Sequence, residues 1–260
     1  EMCIRDSVIG GVLTVYLAIS KSSADTIAQS RLNAEMSALM NIMANDIRRA
    51  GYWEIDTDKD GVYSQEELDL YLPQNNPFNQ AATMLNTLDV ASNASQSPQG
   101  ATADCILYTY DADRDGQVDD GSMDHDGDGT DEAADGFGFR RNGTGIDMRL
   151  TGSTTDDCST GAEWQGIVDT SLIEVTNLNF DLSGSKCANA DEPDGEDSNG
   201  DTVVDNEKDC YVVNPSAGDS TTQIREVTIT LQARLLQDTL VQGTLVQTVR
   251  VRNDLIQVTP

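Results

Sequence analysis

The hydrophobic positions begin as a near-continuous run, Val8 to Ile19, interrupted only by Gly10, Gly11 and Thr14. No proline or turn signal ends it. The apolar positions thin out instead to Leu32, Met36, Leu39, Met40, Met43 and Ile47, which fall on one face of a 3.6-residue period. The spacing predicts one long helix over Val8 to Trp53, greasy on every side at its start and one-sided later. A helix apolar all round belongs in lipid or a bundle core, whereas a stripe belongs against a sheet or other helices. A bilayer span needs about 20 apolar residues, and the run between Ser7 and Ser20 falls short of that. Arg5 and Asp6 are each costly at membrane depth, at about 2.5 to 3.5 kcal/mol. Residues 1–7 therefore read as a junction foreign to the native chain, with the rest of the membrane segment lying upstream.

Beyond the helix the period changes to two. Ile106 to Tyr110 reads as a strand, and Phe137 to Arg140 and Ile146 to Leu150 read as a hairpin closed by Asn142-Gly143-Thr144-Gly145. Ile173 and Val175, then Leu178, Phe180 and Leu182, keep alternation with a register change between them. Met84, Leu85 and Leu88 suggest a helical turn. The clearest alternation comes last. Val227, Ile229, Leu231, Ala233 and Leu235 face one way, and after Gly243, read as a turn, Leu245, Val249 and Val251 repeat the pattern. These two strands should pair antiparallel and take the amphipathic half of the helix on their inner face. No Pro/Ser linker divides the remainder. The expected organisation is α+β: a membrane and assembly helix over 1–53, and one β-rich headgroup over 54–260.

Charge adds the chemistry. With 16 basic and 45 acidic residues, a net charge of −29 makes nucleic acid a poor partner and cations natural ones. The acids are spaced. Asp56, Asp58, Asp60, Val62 (through its carbonyl), Ser64 and Glu67 occupy the ligand positions of a twelve-residue calcium loop, with Gly61 at its sharp turn. A hard cation wants six to eight oxygens, and alternate residues of a tight loop point inward. Three partial copies follow. Asp111, Asp113, Asp115, Gln117 (carbonyl) and Asp119 begin well but reach Ser122 where a bidentate acid belongs. Asp124, Asp126, Asp128, Thr130 (carbonyl), Glu132 and Asp135 end in a carboxylate one methylene short. Asp197, Asn199, Asp201, Val203 (carbonyl) and Asp205 keep the spacing but carry Thr202 at the turn and Lys208 at the last position. The expected cofactor is Ca²⁺, bound most tightly by Asp56 to Glu67. His125, the lone histidine, lies between ligand positions and reads as solvated, as do Arg140 and Arg141.

Apart from Cys3, the cysteines are an even set, Cys105, Cys158, Cys187 and Cys210, which in an oxidising compartment allows three connectivities. Nearest-neighbour pairing, Cys105 with Cys158 and Cys187 with Cys210, closes each excursion between strands. Trp164 is expected to pack behind Cys158. No enzyme is indicated: the serines lack a general base, and the acids sit in calcium-loop spacing rather than as an isolated buried pair.

The helix that turns amphipathic and ends in Asp46-Ile47-Arg48-Arg49-Ala50-Gly51-Tyr52 precedes Cys105-Ile106-Leu107-Tyr108-Thr109-Tyr110-Asp111, Phe137-Gly138-Phe139-Arg140 and the closing Thr248-Val249-Arg250-Val251-Arg252-Asn253. In their order and spacing these segments resemble the type IV pilin superfamily, and within it the PilW-type minor pilins, across most of the chain. The resemblance implies a pilin-like fold and a protein that initiates or caps a pilus. Its helix would be held in the inner membrane of a Gram-negative bacterium, with a periplasmic headgroup, and then packed among other major and minor pilins. Twitching motility would depend on that pilus. A type II secretion pseudopilin would share the architecture, and a calcium-dependent tip adhesin is the reading from a different class.

Overall fold

The computed structural model describes residues 2–54, 75–80, 82–88, 90, 102–119, 134–155, 157–158, 164–189, 208–209 and 217–258. Helix α1 runs unbroken over Met2–Ile47. The described strands, in chain order, are β1 Asn86–Leu88, β2 Thr102–Ala103, β3 Cys105–Thr109, β4 Gly136–Asn142, β5 Gly145–Arg149 and β6 Trp164–Gly166. They continue as β7 Ile173–Asp181, β8 Lys186–Asn189, β9 Lys208–Asp209, β10 Ser220–Ile224, β11 Glu226–Leu235, β12 Gln242–Arg250 and β13 Leu255–Val258. All pair antiparallel, in the orders β12-β11-β7-β2, β1-β3-β4-β5-β6 and β13-β10-β8-β9.

The apolar stripe is what joins helix to sheet. Leu32, Met36, Leu39, Met40, Met43 and Ile47 are all buried, and α1 packs on β11 and β12. They share one core with Val227, Ile229, Leu231 and Val249 from those strands, Phe180 from β7, and Ile106, Tyr108, Phe139 and Ile146 from the five-stranded sheet. Each such side chain contributes about 1.5 to 3 kcal/mol on leaving water. The earlier half of α1 has no such cover. Ile9, Val12, Leu13, Val15, Tyr16, Leu17, Ile19 and Ile27 are each more than half exposed. Among the described residues no helix is long and apolar enough to cross a membrane.

β11 and β12 pair in unbroken register from Glu226 opposite Arg250 to Arg234 opposite Gln242. Gly243 is not their turn: it lies inside β12, opposite Ala233, and the chain reverses between Leu235 and Gln242. Its reason is the helix, since a Cβ on Gly243 would stand 3.2 Å from the Met36 sulfur. The register change read in Ile173 to Leu182 is present, with Gln232 opposite Asn177 and Ala233 opposite Val175, leaving Thr176 as the extra residue. The β4–β5 hairpin turns at Gly143, whose φ of 58° suits glycine. Leu88 ends strand β1 instead of a helical turn, because pairing with Cys105 gives its buried side chain a place.

Candidate functional site at the helix junction

After Ile47 the stripe ends, and Gly51, with φ 72°, reverses the chain as a left-handed helix cap. The last carbonyls need partners, and distant segments supply them. Arg48 O accepts from the Arg252 amide at 3.1 Å, Ala50 O from Asn253 Nδ2 at 3.2 Å and Gly51 O from Asn76 Nδ2 at 2.9 Å. On the other side, Asp46 accepts from the Tyr108 hydroxyl at 2.7 Å and the Tyr110 hydroxyl at 3.0 Å. The Arg49 guanidinium lies 3.9 Å over the Tyr110 ring, which stacks on Phe137 at 4.0 Å. Burial above all, then the Asp46 charge, holds the Tyr108 phenol well above its ordinary value, so it remains a donor.

The exit from the helix is then bound to an acidic loop. Gly51 N–H donates to Thr109 O at 2.8 Å, Asp111 N–H to Tyr52 O at 3.0 Å, and Trp53 Nε1–H to Gly116 O at 3.1 Å. Asp111 is the pivot: its Oδ2 accepts from Glu54 N–H at 2.9 Å and Gly116 N–H at 3.2 Å, and its Oδ1 from Arg114 N–H at 2.6 Å. Asp113 and Asp115 accept in turn from the amides of Asp115 and Gln117. The loop closes by placing Arg114 and Gly116 at φ 68° and 82°. Carboxylate oxygens of Asp111, Asp113 and Asp115 thereby lie within 4.8 Å of one another and can hold a metal ion.

Asp135, read from its spacing as the end of the following loop, is hydrogen-bonded to this one, and the other ligands of that following loop lie outside the described residues. Asp135 Oδ1 accepts from Ala112 N–H at 2.8 Å and its Oδ2 from Asp119 N–H at 2.9 Å, while its backbone bridges Tyr110 and Asp119. The reason is strand β4: the chain must return beside β3 at Gly136, and this delivers Asp135 to the loop that leaves β3 at Tyr110. Asp111, Asp119 and Asp135 are all essentially without solvent contact. Burial pushes the Asp111 carboxyl up against the pull of its three amide donors. For Asp135, burial outweighs the Ala112 and Asp119 amides, the Asp113 and Asp111 charges add to it, and the carboxyl is pushed up to about 7. Among the described residues, the hydrogen-bond donors to Asp111 and Asp135 are backbone amides, and neither carboxylate pairs with a Lys or Arg side chain.

The remaining ligand sets, Asp56 to Glu67, Asp124 to Thr130 and Asp197 to Asp205, lie outside the described residues. Cys105 and Cys158 form a disulfide, with Cα atoms 6.5 Å apart, in a small separate core with Leu88 and Leu107, against which Trp164 packs. Cys187 is disulfide-bonded as well, and its expected partner Cys210 lies outside the described residues. Arg140 is not solvated: it pairs with Asp147 at 3.2 Å, donates to Cys158 O at 2.6 Å and lies 4.3 Å over Trp164, because its strand runs beside the disulfide. Sequence reasoning missed the Asp46 clasp and the Asn76 and Asn253 caps. A buried-face position occupied by Asp at the end of an apolar stripe was the available signal for the first.

The segments that carried the resemblance, around Asp46, Tyr108, Phe137 and Arg252, are thus the ones that meet at this junction. Residues 25–251 match the family model described as prepilin peptidase-dependent protein B. No curated protein and no solved structure matches the chain.

Proposed function

Because the chain belongs to the prepilin peptidase-dependent protein B family, a type IV pilus-related family, we propose that it is a PilW-type minor pilin, a structural component that initiates or caps a pilus. The family places it in the cell envelope or at the cell surface, among other pilus components. The single observation that supports the finer reading is the divided helix. One half is spent in the core, and the other offers a row of exposed apolar side chains from Ile9 to Ile27 for lipid first and for other pilins afterwards. On this reading residues 1–53 are the assembly element and 54–260 the periplasmic, later surface-exposed, headgroup, with no catalytic role. Deleting the gene should abolish or sharply reduce surface pili and twitching, and the wild-type gene should restore both. Normal piliation with a defect in protein secretion would transfer the chain to the pseudopilins instead.

Calcium belongs to the same proposal. Opposite oxygens in a calcium shell stand about 4.6 to 5.2 Å apart, given ligand distances of about 2.3 to 2.6 Å, and the Asp111, Asp113 and Asp115 oxygens fit that span. Asp119 and Asp135 add buried carboxylates beside them. A bound cation would offset the desolvation that raises Asp111 and Asp135, and would hold the loop to which Trp53 and Glu54 are tied. Its role is structural, fixing the direction in which the chain leaves the helix. Isothermal titration of calcium into chelator-treated protein tests this. Beside the event expected at Asp56 to Glu67, a second binding event that Asp111→Asn weakens at least about tenfold is expected, and titrations indifferent to that change would remove the ion from this loop.

A further inference from the structure

On a chain of net charge −29, arginines gather at one place beside the helix end. Arg48, Arg250, Val251 and Arg252 line a hollow of about 360 Å³. Arg252 also borders a second hollow, of about 250 Å³, whose wall includes Trp53, Asp254 and Ile256. The cations are only partly used. Arg250 pairs with Asp254 at 3.2 Å with more than half of its side chain exposed, Arg48 donates to Asn45 at 3.2 Å, and the exposed Arg252 side chain makes no ion pair among the described residues. Among the described residues Arg250 faces Asp254 and, across the β11–β12 pairing, Glu226, while Arg48 and Arg252 make no ion pair, which leaves two unpaired cations in the patch. Acids farther away than about 10 Å are screened from it at about 0.1 M salt.

We propose that this patch is a docking surface for an acidic polypeptide segment, whose carboxylates meet Arg48 and Arg252 while an apolar side chain enters the hollow at Trp53 and Ile256. Arginine suits the task because its planar guanidinium takes a carboxylate through two parallel hydrogen bonds. The alternatives fit the geometry less well. Between Ser20, where the apolar run ends, and Ile47 the helix covers about 40 Å at about 1.5 Å per residue, which keeps the patch far from any lipid surface in which that run is seated. Nucleic acid brings a dense field that the rest of the molecule repels. The favourable placing of cations at a helix C-terminus accounts for Arg48, but not for Arg250 and Arg252 on the neighbouring chain end. The inference does not depend on the pilus reading.

The test uses the full chain in neutral detergent, titrated with a polyglutamate peptide, with inorganic phosphate and with vesicles containing anionic phosphatidylglycerol. The peptide should bind, more weakly as salt rises from about 0.1 M to about 1 M. The variant R48Q/R252Q should lose about tenfold or more in affinity with an unchanged melting temperature. R252Q alone, which alters only an exposed side chain, should lose about threefold and carries the test if the double variant does not fold. Absence of peptide binding, equal affinity in wild type and variants, or tighter binding of phosphate or vesicles than of peptide would overturn the proposal.

Discussion

Asp135 shows at the scale of one residue how the junction depends on its surroundings. Its carboxyl rises from 3.8 to about 7 on folding, so the folded chain holds that proton more tightly than the unfolded one. The sign follows: without divalent cation this residue's contribution to stability is greatest below about pH 4 and is lost as pH rises through about 7. In chelator, the melting temperature of wild type relative to Asp135→Asn should therefore fall across that window. A difference independent of pH would contradict the buried, uncompensated carboxylate. Met36 tests the apolar stripe in the same way. Met36→Asp would bury an unpaired charge and cost several kcal/mol, whereas Ser37→Asp and Asn41→Asp, on the exposed face, should change stability by less than about 0.5 kcal/mol. Equal effects at the two faces, read by denaturant melts, would refute the packing. Spacing alone revealed Asp111, Asp113 and Asp115, because their geometry is local. It put Asp135 in the following loop and could not show that this carboxylate ties down the Asp111 loop, because that is decided by how β3 and β4 pair.

Among whole elements, the sequence announced the periodic ones and was silent where partners are remote. The stripe on α1 and the alternation of β11 and β12 were legible because each records one buried face. Gly243 was misread because a glycine between two apolar runs signals a turn in sequence, while its cause here, the nearness of Met36, is tertiary. Gly243→Val should thus disturb the helix contact, costing about 1 to 3 kcal/mol by overpacking, with strand pairing retained. A neutral or stabilising result would mean that Met36 does not press on the sheet there. The Cys105–Cys158 bond ties β3 to the segment before β6 across 53 residues of chain. In the chain-entropy model a loop of that size is worth about 4 kcal/mol, so Cys105→Ala/Cys158→Ala should lower unfolding free energy by up to that amount. An unchanged denaturation midpoint would show that the bridge constrains nothing.

As a whole the molecule joins two parts: a core that locks the later half of α1 to the sheets, and a bare apolar rod ahead of it. That division was visible in the first 50 residues, since an all-round apolar run and a one-sided stripe are different patterns on one helix. What a sequence could not supply was the junction, where Asp46, Gly51, Tyr110, Asp111 and Asn253 meet from three regions of the chain. On the proposed function, the bare rod is the assembly surface of a pilus component. Shearing filaments from cells carrying an epitope-tagged chain, and blotting the purified filaments, tests it most directly. The tagged chain should co-purify with the filaments, and Val15→Asp, which places a charge on the exposed rod far from the core, should remove it from them while the folded protein persists in the envelope. A chain never found in filaments, or a Val15→Asp variant incorporated as well as wild type, would contradict the account.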